Sequence, residues 1–192
     1  MATLDGTPGR ASSFGPSALA TPANALTAAR LLLTPVLLVL VLHRPSSWPS
    51  LAVWVLLAGS DAIDGWIARR QGSTRSGAFL DPLADKVLVL SALIALVVKN
   101  RFWWVPVAIV GVRELVISVY RSWVGRQGVS VPARPWAKVK TTVQEVAVGF
   151  ALLPFTRHER WVANSILWLA VVLTVVTGVQ YLLDGRKVRR AV

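Results

Sequence analysis

Residues 61–86 read DAIDGWIARRQGSTRSGAFLDPLADK and carry four of the nine acidic residues in the chain. Asp61 and Asp64 stand three positions apart and Asp81 and Asp85 four apart, so each pair shares one face of a helix. A helical hairpin would bring the two pairs together. Four neighbouring carboxylates repel one another unless a cation lies between them, and an all-oxygen ligand set favours Mg²⁺, Ca²⁺ or Mn²⁺ over zinc. This stretch therefore predicts a divalent-cation site between two helices.

The composition around this stretch is that of a polytopic membrane protein. The chain has 192 residues, enough for one domain, and 54% of them are hydrophobic. Its mean hydropathy is +0.56, and the 16% of charged residues gather between apolar runs. The chain has no cysteine, which excludes disulfides and thiolate metal sites. The net charge of +12 fits anionic lipid headgroups better than nucleic acid, because the basic residues stand at the ends of apolar segments.

The hydropathy pattern predicts an all-α fold with six transmembrane helices. The predicted spans are residues 25–42, 48–70, 83–98, 102–123, 136–155 and 161–183. Residues 1–21 are rich in Gly, Ser, Pro and Ala, and we expect a disordered tail there. The membrane domain is expected to cover residues 22–185, and residues 186–192 are expected to form a basic tail. No internal repeat or second domain is evident.

The distribution of basic residues predicts the orientation of these spans. Six spans place both termini on one side, and fifteen of the 21 lysines and arginines fall on that side. Five fall on the opposite side, and Arg113 lies within a span. Because cytoplasmic loops carry the excess of positive charge, we expect both termini and the carboxylate pairs to be cytoplasmic.

Several charged residues lie inside the fourth and fifth apolar segments, where burial is costly and usually functional. Arg113 stands half-way along the fourth segment, and its neighbour Glu114 points about 100° away, so the two need not pair. Glu114 and Glu145 are expected to pair with basic groups on neighbouring helices. Lys138 and Lys140 begin the fifth segment, where anchoring at the membrane interface is the simpler interpretation. A carboxylate pair can likewise be only a helix cap, but two pairs that converge in an apolar protein favour a site.

The spacing of these residues resembles the signature of the CDP-alcohol phosphatidyltransferase family. All of its fixed positions are present: Asp61-x-x-Asp64-Gly65-x-x-Ala68-Arg69, then seven residues, then Gly77-x-x-x-Asp81-x-x-x-Asp85. The resemblance covers about residues 22–150, beginning with an opening segment that runs from Asn24 to Arg30. Arg113-Glu114 and Lys138-x-Lys140 resemble the subgroup that makes phosphatidylglycerol phosphate. One departure is Ala137, where that subgroup is expected to have a glycine.

The resemblance implies a homodimeric membrane enzyme with six transmembrane helices. It would transfer the phosphatidyl group of CDP-diacylglycerol to an alcohol and release CMP. It implies that Asp61, Asp64 and Asp81 hold one or two Mg²⁺ or Mn²⁺ ions, with Asp85 sharing a second metal ion or acting as the catalytic base. As the base, Asp85 would take the proton of the attacking hydroxyl. The resemblance also implies a cytidine and phosphate pocket formed by Gly65, Ala68, Arg69 and Gly77.

The acceptor alcohol is a separate inference. Arg113, Lys138 and Lys140, with Arg121 as a weaker fourth, would meet an acceptor phosphate, and the subgroup resemblance implies sn-glycerol 3-phosphate. A cardiolipin synthase using phosphatidylglycerol and an inositol-phosphate-using relative remain alternatives within the family. Outside it, the alternatives are an ion-coupled transporter and a structural membrane protein whose charges only set topology.

Overall fold

All secondary structure in the described part of the chain is helical. The computed structural model describes the backbone at residues 22–71, 77–126 and 136–190, and the side chains at residues 25–60, 83–124 and 139–183. The six helices are α1 (Pro22–His43), α2 (Trp48–Gln71), α3 (Gly77–Val98), α4 (Trp104–Arg126), α5 (Trp136–Leu152) and α6 (Arg160–Arg190). The all-α prediction is confirmed, whereas the disorder predicted for residues 1–21 lies outside the described residues.

Each helix matches one predicted apolar segment, with differences at the ends. Helix α3 begins at Gly77, six residues before the predicted span, so Asp81 lies on helical backbone. Helix α5 ends at Leu152, three residues early, because Pro154 cannot continue it. Helix α6 continues to Arg190, so the basic tail is helical as far as that residue.

The helices of the bundle pack in two groups of three. Helix α1 packs against α2 and α3, and α6 packs against α5 and α4, while α3 also meets α4 and α5. Large aliphatic side chains fill the centre and are almost fully buried: Leu37, Leu88, Leu93, Leu96, Val110, Val148, Leu152 and Leu167. Since consecutive helices run in opposite directions, the α1–α2, α3–α4 and α5–α6 turns share one end, and the carboxylate pairs belong to the other.

The α3–α4 turn is closed by a left-handed residue. Asn100 has a φ of 55°, which asparagine tolerates better than most residues. The Arg101 amide donates to the Leu96 carbonyl at 2.8 Å and the Asn100 amide donates to the Val97 carbonyl at 2.9 Å. These two bonds form a Schellman motif, which ends α3 and directs Arg101 back into the protein.

The outer surface of the bundle is apolar over much of its area. Leu32 on α1, Leu56 on α2 and Leu115 on α4 are each more than 60% exposed. Among the described residues, two helical segments are long and apolar enough to cross a membrane, Ala25–His43 and Arg160–Leu183, while Trp48–Ser60 is a shorter apolar helix. Outward-facing aliphatic side chains on several helices are typical of a surface that meets lipid or another protein.

Candidate functional site

A cavity of about 190 Å³ lies between α3, α4, α5 and α6, in the half of the bundle that carries the carboxylate pairs. Asp85 lines it from α3, and Glu114 lines it from α4. The lining includes four cationic side chains: Lys86, Arg113, Arg121 and Lys140. The cations therefore outnumber the two carboxylates in the described lining, which favours an anionic ligand with more than one negative charge.

Glu114 is the centre of the charge cluster in this cavity. Its carboxylate pairs with the Lys140 ammonium, with the Arg113 guanidinium at 3.0 Å and with the Lys86 ammonium at 3.9 Å. Lys86 also donates to the Ser118 hydroxyl. The side chains of Glu114, Arg113 and Lys140 are all more than 85% buried. One carboxylate thus holds three cations from three helices in fixed positions beside Asp85.

One expectation for these residues needs correction, and one alternative interpretation is excluded. We predicted that Arg113 and Glu114 need not pair, because their Cβ atoms point about 100° apart. They do pair, because the long guanidinium side chain of Arg113 reaches back to the carboxylate. The interface-anchor interpretation of Lys140 is also wrong, since this residue is only 5% exposed. The prediction that Glu114 pairs with basic groups on neighbouring helices is confirmed.

Arg113 is fixed by α6 as well as by Glu114. Its Nε donates to the Thr174 carbonyl at 3.0 Å, and its Nη2 donates to the Thr177 hydroxyl at 3.1 Å. Gly178 leaves room for it, since a Cβ atom there would stand 3.0 Å from the Arg113 Nε and 3.4 Å from its Cγ. The guanidinium is therefore held in one orientation by two helices.

Helix α6 contributes more to the cavity than its sequence indicated. None of the predicted site residues lies in the sixth segment, but Thr177, Gln180 and Tyr181 line the cavity. Thr174 accepts a hydrogen bond from the Gln144 amide of α5 at 3.0 Å. Positions 174, 177 and 181 follow the i, i+3, i+7 spacing of one helix face. That polar face was the signal that could have identified them.

Arg30 is a further buried cation near the signature. It ends the opening segment of the family resemblance, and it is only 1% exposed. Its Nε and Nη2 donate to the Ser60 hydroxyl at 3.2 and 3.1 Å. Ser60 immediately precedes the first signature aspartate on α2. The opening segment of the chain thus packs directly against the start of the signature.

The remaining predicted site residues are located by backbone alone. Asp61 and Asp64 stand in the last turns of α2, and Asp81 stands in the first turns of α3, so the chain direction puts both pairs at the same end of the bundle. The side chains of these three aspartates lie outside the described residues, as do those of Arg69 and Lys138. Gly65 and Ala68 stand on the α2 backbone, and Gly77 begins α3. Of the predicted site residues, the structure brings together Asp85, Arg113 and Lys140.

The sequence profile of the CDP-alcohol phosphatidyltransferase family matches residues 20–176 of the chain. The chain therefore belongs to this family, and its resemblance to the family signature is confirmed. Members of the family are membrane proteins and generally use divalent metal ions.

Named relatives cover most of the chain. The chain is 40% identical over 174 residues to a probable phosphatidylglycerophosphate synthase of Mycobacterium tuberculosis, covering 87% of this chain and 82% of that protein. It is 40% identical over 169 residues to a CDP-diacylglycerol–glycerol-3-phosphate 3-phosphatidyltransferase of Shigella flexneri, covering 84% and 92%. An enzyme of the same name from Escherichia coli K12 is 39% identical over the same length.

Proposed function

We propose that this protein transfers the phosphatidyl group of CDP-diacylglycerol to sn-glycerol 3-phosphate and releases CMP. The observation that carries the proposal is the cavity in which Asp85 lies beside four cationic side chains. A carboxylate can accept the proton of an attacking hydroxyl, and the cations can hold a phosphate dianion in place. The relatives that cover most of the chain bear names for the same reaction.

The proposed reaction is one in-line displacement at phosphorus. A hydroxyl oxygen of the acceptor forms a bond to the phosphatidyl phosphorus, and the bond from that phosphorus to the CMP oxygen breaks. Asp85 takes the proton that the hydroxyl loses. Holding both substrates at one site converts a bimolecular reaction into an effectively unimolecular one.

The signature carboxylates fit a divalent metal ion. The α2 and α3 backbones bring Asp61, Asp64, Asp81 and Asp85 to one end of the bundle, and these residues offer only oxygen ligands. Such a set suits Mg²⁺ or Mn²⁺. When bound, the ion would offset the charge of the pyrophosphate and favour departure of CMP. We further propose that Gly65, Ala68, Arg69 and Gly77 form the CDP pocket.

Arg113, Lys140 and Lys138 are the proposed ligands of the acceptor phosphate, with Arg121 beside them. Arg113 and Lys140 are buried, preorganised and shared between helices, which suits binding of a small, highly charged group. Glu114 keeps them in position when no phosphate is present. A phosphodiester acceptor carries a single charge and would leave this set of cations less well matched.

We propose that all six helices cross the cell membrane, with both termini and the catalytic cavity on the cytoplasmic side, and that the protein is a homodimer. The apolar outer surface and the charge asymmetry of the sequence support the spans and their orientation. The proposed dimer rests on the family resemblance. An ion-coupled transporter is disfavoured because buried aliphatic residues fill the bundle between its two ends in the described part of the chain.

A comparison of acceptors tests the proposed reaction. Purified protein in detergent, given CDP-diacylglycerol and Mg²⁺, should release CMP with sn-glycerol 3-phosphate and not with phosphatidylglycerol or inositol phosphate. Release with phosphatidylglycerol would preserve the carboxylate site but contradict the assignment of Arg113 and Lys140. Release with inositol phosphate would preserve both assignments but contradict sn-glycerol 3-phosphate as the acceptor. Folded protein that released no CMP with any acceptor would contradict the proposed activity.

The substitution Gly178→Ala should raise the KM for sn-glycerol 3-phosphate with little change in kcat. The new methyl group would displace Arg113 by a few tenths of an ångström, since its Nε is held only 3.0 Å away. We expect a KM increase of about three- to tenfold, which corresponds to roughly 1 kcal/mol of lost binding. Helix propensity favours alanine by up to about 1 kcal/mol, so the thermal stability should not fall appreciably.

The matched control for this substitution is Gly111→Ala on α4, where an added Cβ atom meets nothing within 4 Å. Its KM should equal that of the unmodified protein. An unchanged KM in Gly178→Ala, with Gly111→Ala as the reference, would show that the position of Arg113 does not govern acceptor binding.

A further inference from the structure

A second cavity, of about 750 Å³, lies at the end of the bundle opposite the carboxylate pairs. It is formed by the α1–α2, α3–α4 and α5–α6 turns. Five cationic side chains line it: Arg44, Lys99, Arg101, Arg157 and Arg160. These are the same five that the sequence leaves on the side opposite the termini. The sequence predicted few cations on this side of the membrane, and in the structure all five line one cavity.

No acidic side chain lines this cavity within the described part of the chain. The imidazole side chains of His43 and His158 also line the cavity. Glu159 lies in the same turn between Arg157 and Arg160, but its side chain is exposed and does not line the cavity. In the first cavity two carboxylates offset part of the positive charge of the lining. In the second cavity no carboxylate of the described lining does so.

Arg101 supplies a buried, rigid positive charge at the base of this cavity. The Schellman motif at Asn100 directs it inward, where it is only 5% exposed. Its two terminal nitrogens donate to the Arg157 carbonyl at 2.6 Å, to the Thr156 carbonyl at 3.0 Å and to the Ala151 carbonyl at 3.2 Å. Its Nε is buried and has no hydrogen-bond partner among the described residues. All of its hydrogen-bond partners are thus neutral carbonyls.

Electrostatics reinforce this description of Arg101. Burial, followed by the nearby charges of Arg160 and Arg157, lowers the pKa of Arg101 from its ordinary value. Arg157 and Arg160 therefore repel the Arg101 guanidinium. A bound anion would relieve this repulsion, and guanidinium groups are well suited to the oxygens of a phosphate.

Exposed aromatic residues surround the same end of the bundle. Trp48 packs edge-on against Phe155 with ring centroids 5.6 Å apart, and both side chains are more than half exposed. Trp103 and Trp161 are also exposed beside the turns. Aromatic belts of this kind lie at the level of lipid headgroups. In a membrane, the second cavity would therefore open where lipid phosphates are concentrated.

We propose that the second cavity binds a phosphate group on the membrane face opposite the catalytic carboxylates. A phospholipid headgroup and a soluble phosphate offer the same chemistry. The exposed aromatic side chains at this end of the bundle favour the lipid as the ligand. This site goes beyond the proposed transferase activity and does not depend on it.

The double variant Arg44→Gln/Arg157→Gln tests the proposal. Both side chains are exposed, and only backbone groups of these residues take part in the described hydrogen bonds, so the fold should tolerate the change. The thermal unfolding temperature of the full-length protein in neutral detergent would be measured with added phosphatidylglycerol, phosphatidylcholine, or sodium phosphate at constant ionic strength. Each lost charge-assisted contact should weaken phosphate binding by about tenfold.

We expect phosphatidylglycerol to raise the unfolding temperature of the unmodified protein and phosphatidylcholine to have little effect. The rise should be lost or at least halved in the double variant and retained in Arg44→Lys/Arg157→Lys, which keeps both charges. Arg126→Gln, which removes a charge at the other end of α4, should behave as the unmodified protein. CMP release measured without added phosphatidylglycerol should be the same in all of these proteins, which separates this site from the catalytic one.

The source of the phosphate follows from the same measurements. Stabilisation by sodium phosphate that is lost in the double variant would support the site with a soluble ligand. Stabilisation by phosphatidylglycerol alone would support a lipid headgroup. A double variant that responds to both ligands as the unmodified protein does, or an unmodified protein that responds to neither, would overturn the proposal.

Discussion

Replacement of Asp85 by asparagine is expected to lower the rate of CMP release by about 10²- to 10⁴-fold, the contribution typical of a positioned general base. Asparagine has nearly the same size, but its amide cannot accept the proton of the attacking hydroxyl. Asp85 lines the cavity from the third turn of α3, next to the cation cluster, so the change acts at the site itself. The measurement is CMP release at saturating CDP-diacylglycerol and sn-glycerol 3-phosphate.

Glu159→Gln provides the matched control for this prediction. It also neutralises a carboxylate, but in an exposed turn at the other end of the bundle. We expect its rate of CMP release to equal that of the unmodified protein. An Asp85→Asn protein that unfolds at the normal temperature and retains more than a tenth of the normal rate would contradict the proposed role of Asp85.

The metal dependence of the residual activity distinguishes the two roles available to Asp85. If Asp85 acts as the base, Asp85→Asn lowers kcat and leaves the half-saturating Mg²⁺ concentration unchanged. If its main role is to bind a metal ion, the half-saturating Mg²⁺ concentration rises and excess Mg²⁺ restores part of the rate. The proposed role as base requires the first outcome.

The sequence predicted the helical framework well because its signals are local. Apolar runs of about twenty residues, divided by charged or Pro-containing turns, predicted six helices in the right places. The spacing of Asp81 and Asp85 also predicted correctly that both lie on one helix. These inferences needed only the periodicity of a single segment.

The arrangement of the cation cluster was harder to predict because it depends on contacts between distant segments. Helical periodicity describes only the directions of Cβ atoms, and it therefore predicted that Arg113 and Glu114 need not pair. The arginine side chain is long enough for its guanidinium to reach the Glu114 carboxylate. The contribution of α6 was missed because Thr177 and Tyr181 are weak signals in an apolar run. The basic cavity was missed for the same reason, since its cations come from three separate turns.

The substitution Glu114→Gln is expected to cause the largest loss of stability. It removes the negative charge that pairs with Arg113, Lys140 and Lys86 but keeps the shape of the side chain. Breaking a buried ion pair by removing one partner costs about 3–5 kcal/mol, because the remaining charge stays buried without its counter-charge. A lower unfolding temperature in detergent, measured without substrates, would test this. Glu159→Gln should change the free energy of unfolding by no more than about 0.5 kcal/mol.

Added sn-glycerol 3-phosphate should restore part of the stability that Glu114→Gln loses. In the unmodified protein the acceptor phosphate shares its cations with the Glu114 carboxylate, whereas in the variant it becomes their main counter-charge. The rise in unfolding temperature on addition of sn-glycerol 3-phosphate should therefore be larger in Glu114→Gln than in the unmodified protein. Ligand binding stabilises the folded state in proportion to RT ln(1 + [L]/Kd), so a series of concentrations converts this rise into an affinity.

The variant Lys140→Met completes a double-mutant cycle with Glu114→Gln. Because the two side chains pair directly, the loss of stability in the combined variant should be smaller than the sum of the two single losses. Lys140→Met should also weaken the stabilisation by sn-glycerol 3-phosphate, since it removes one proposed phosphate ligand. If Glu114→Gln is destabilised but gains nothing from sn-glycerol 3-phosphate, the cluster serves only to hold the helices together. The acceptor phosphate would then have to bind elsewhere in the cavity, with Arg121 as the remaining described cation.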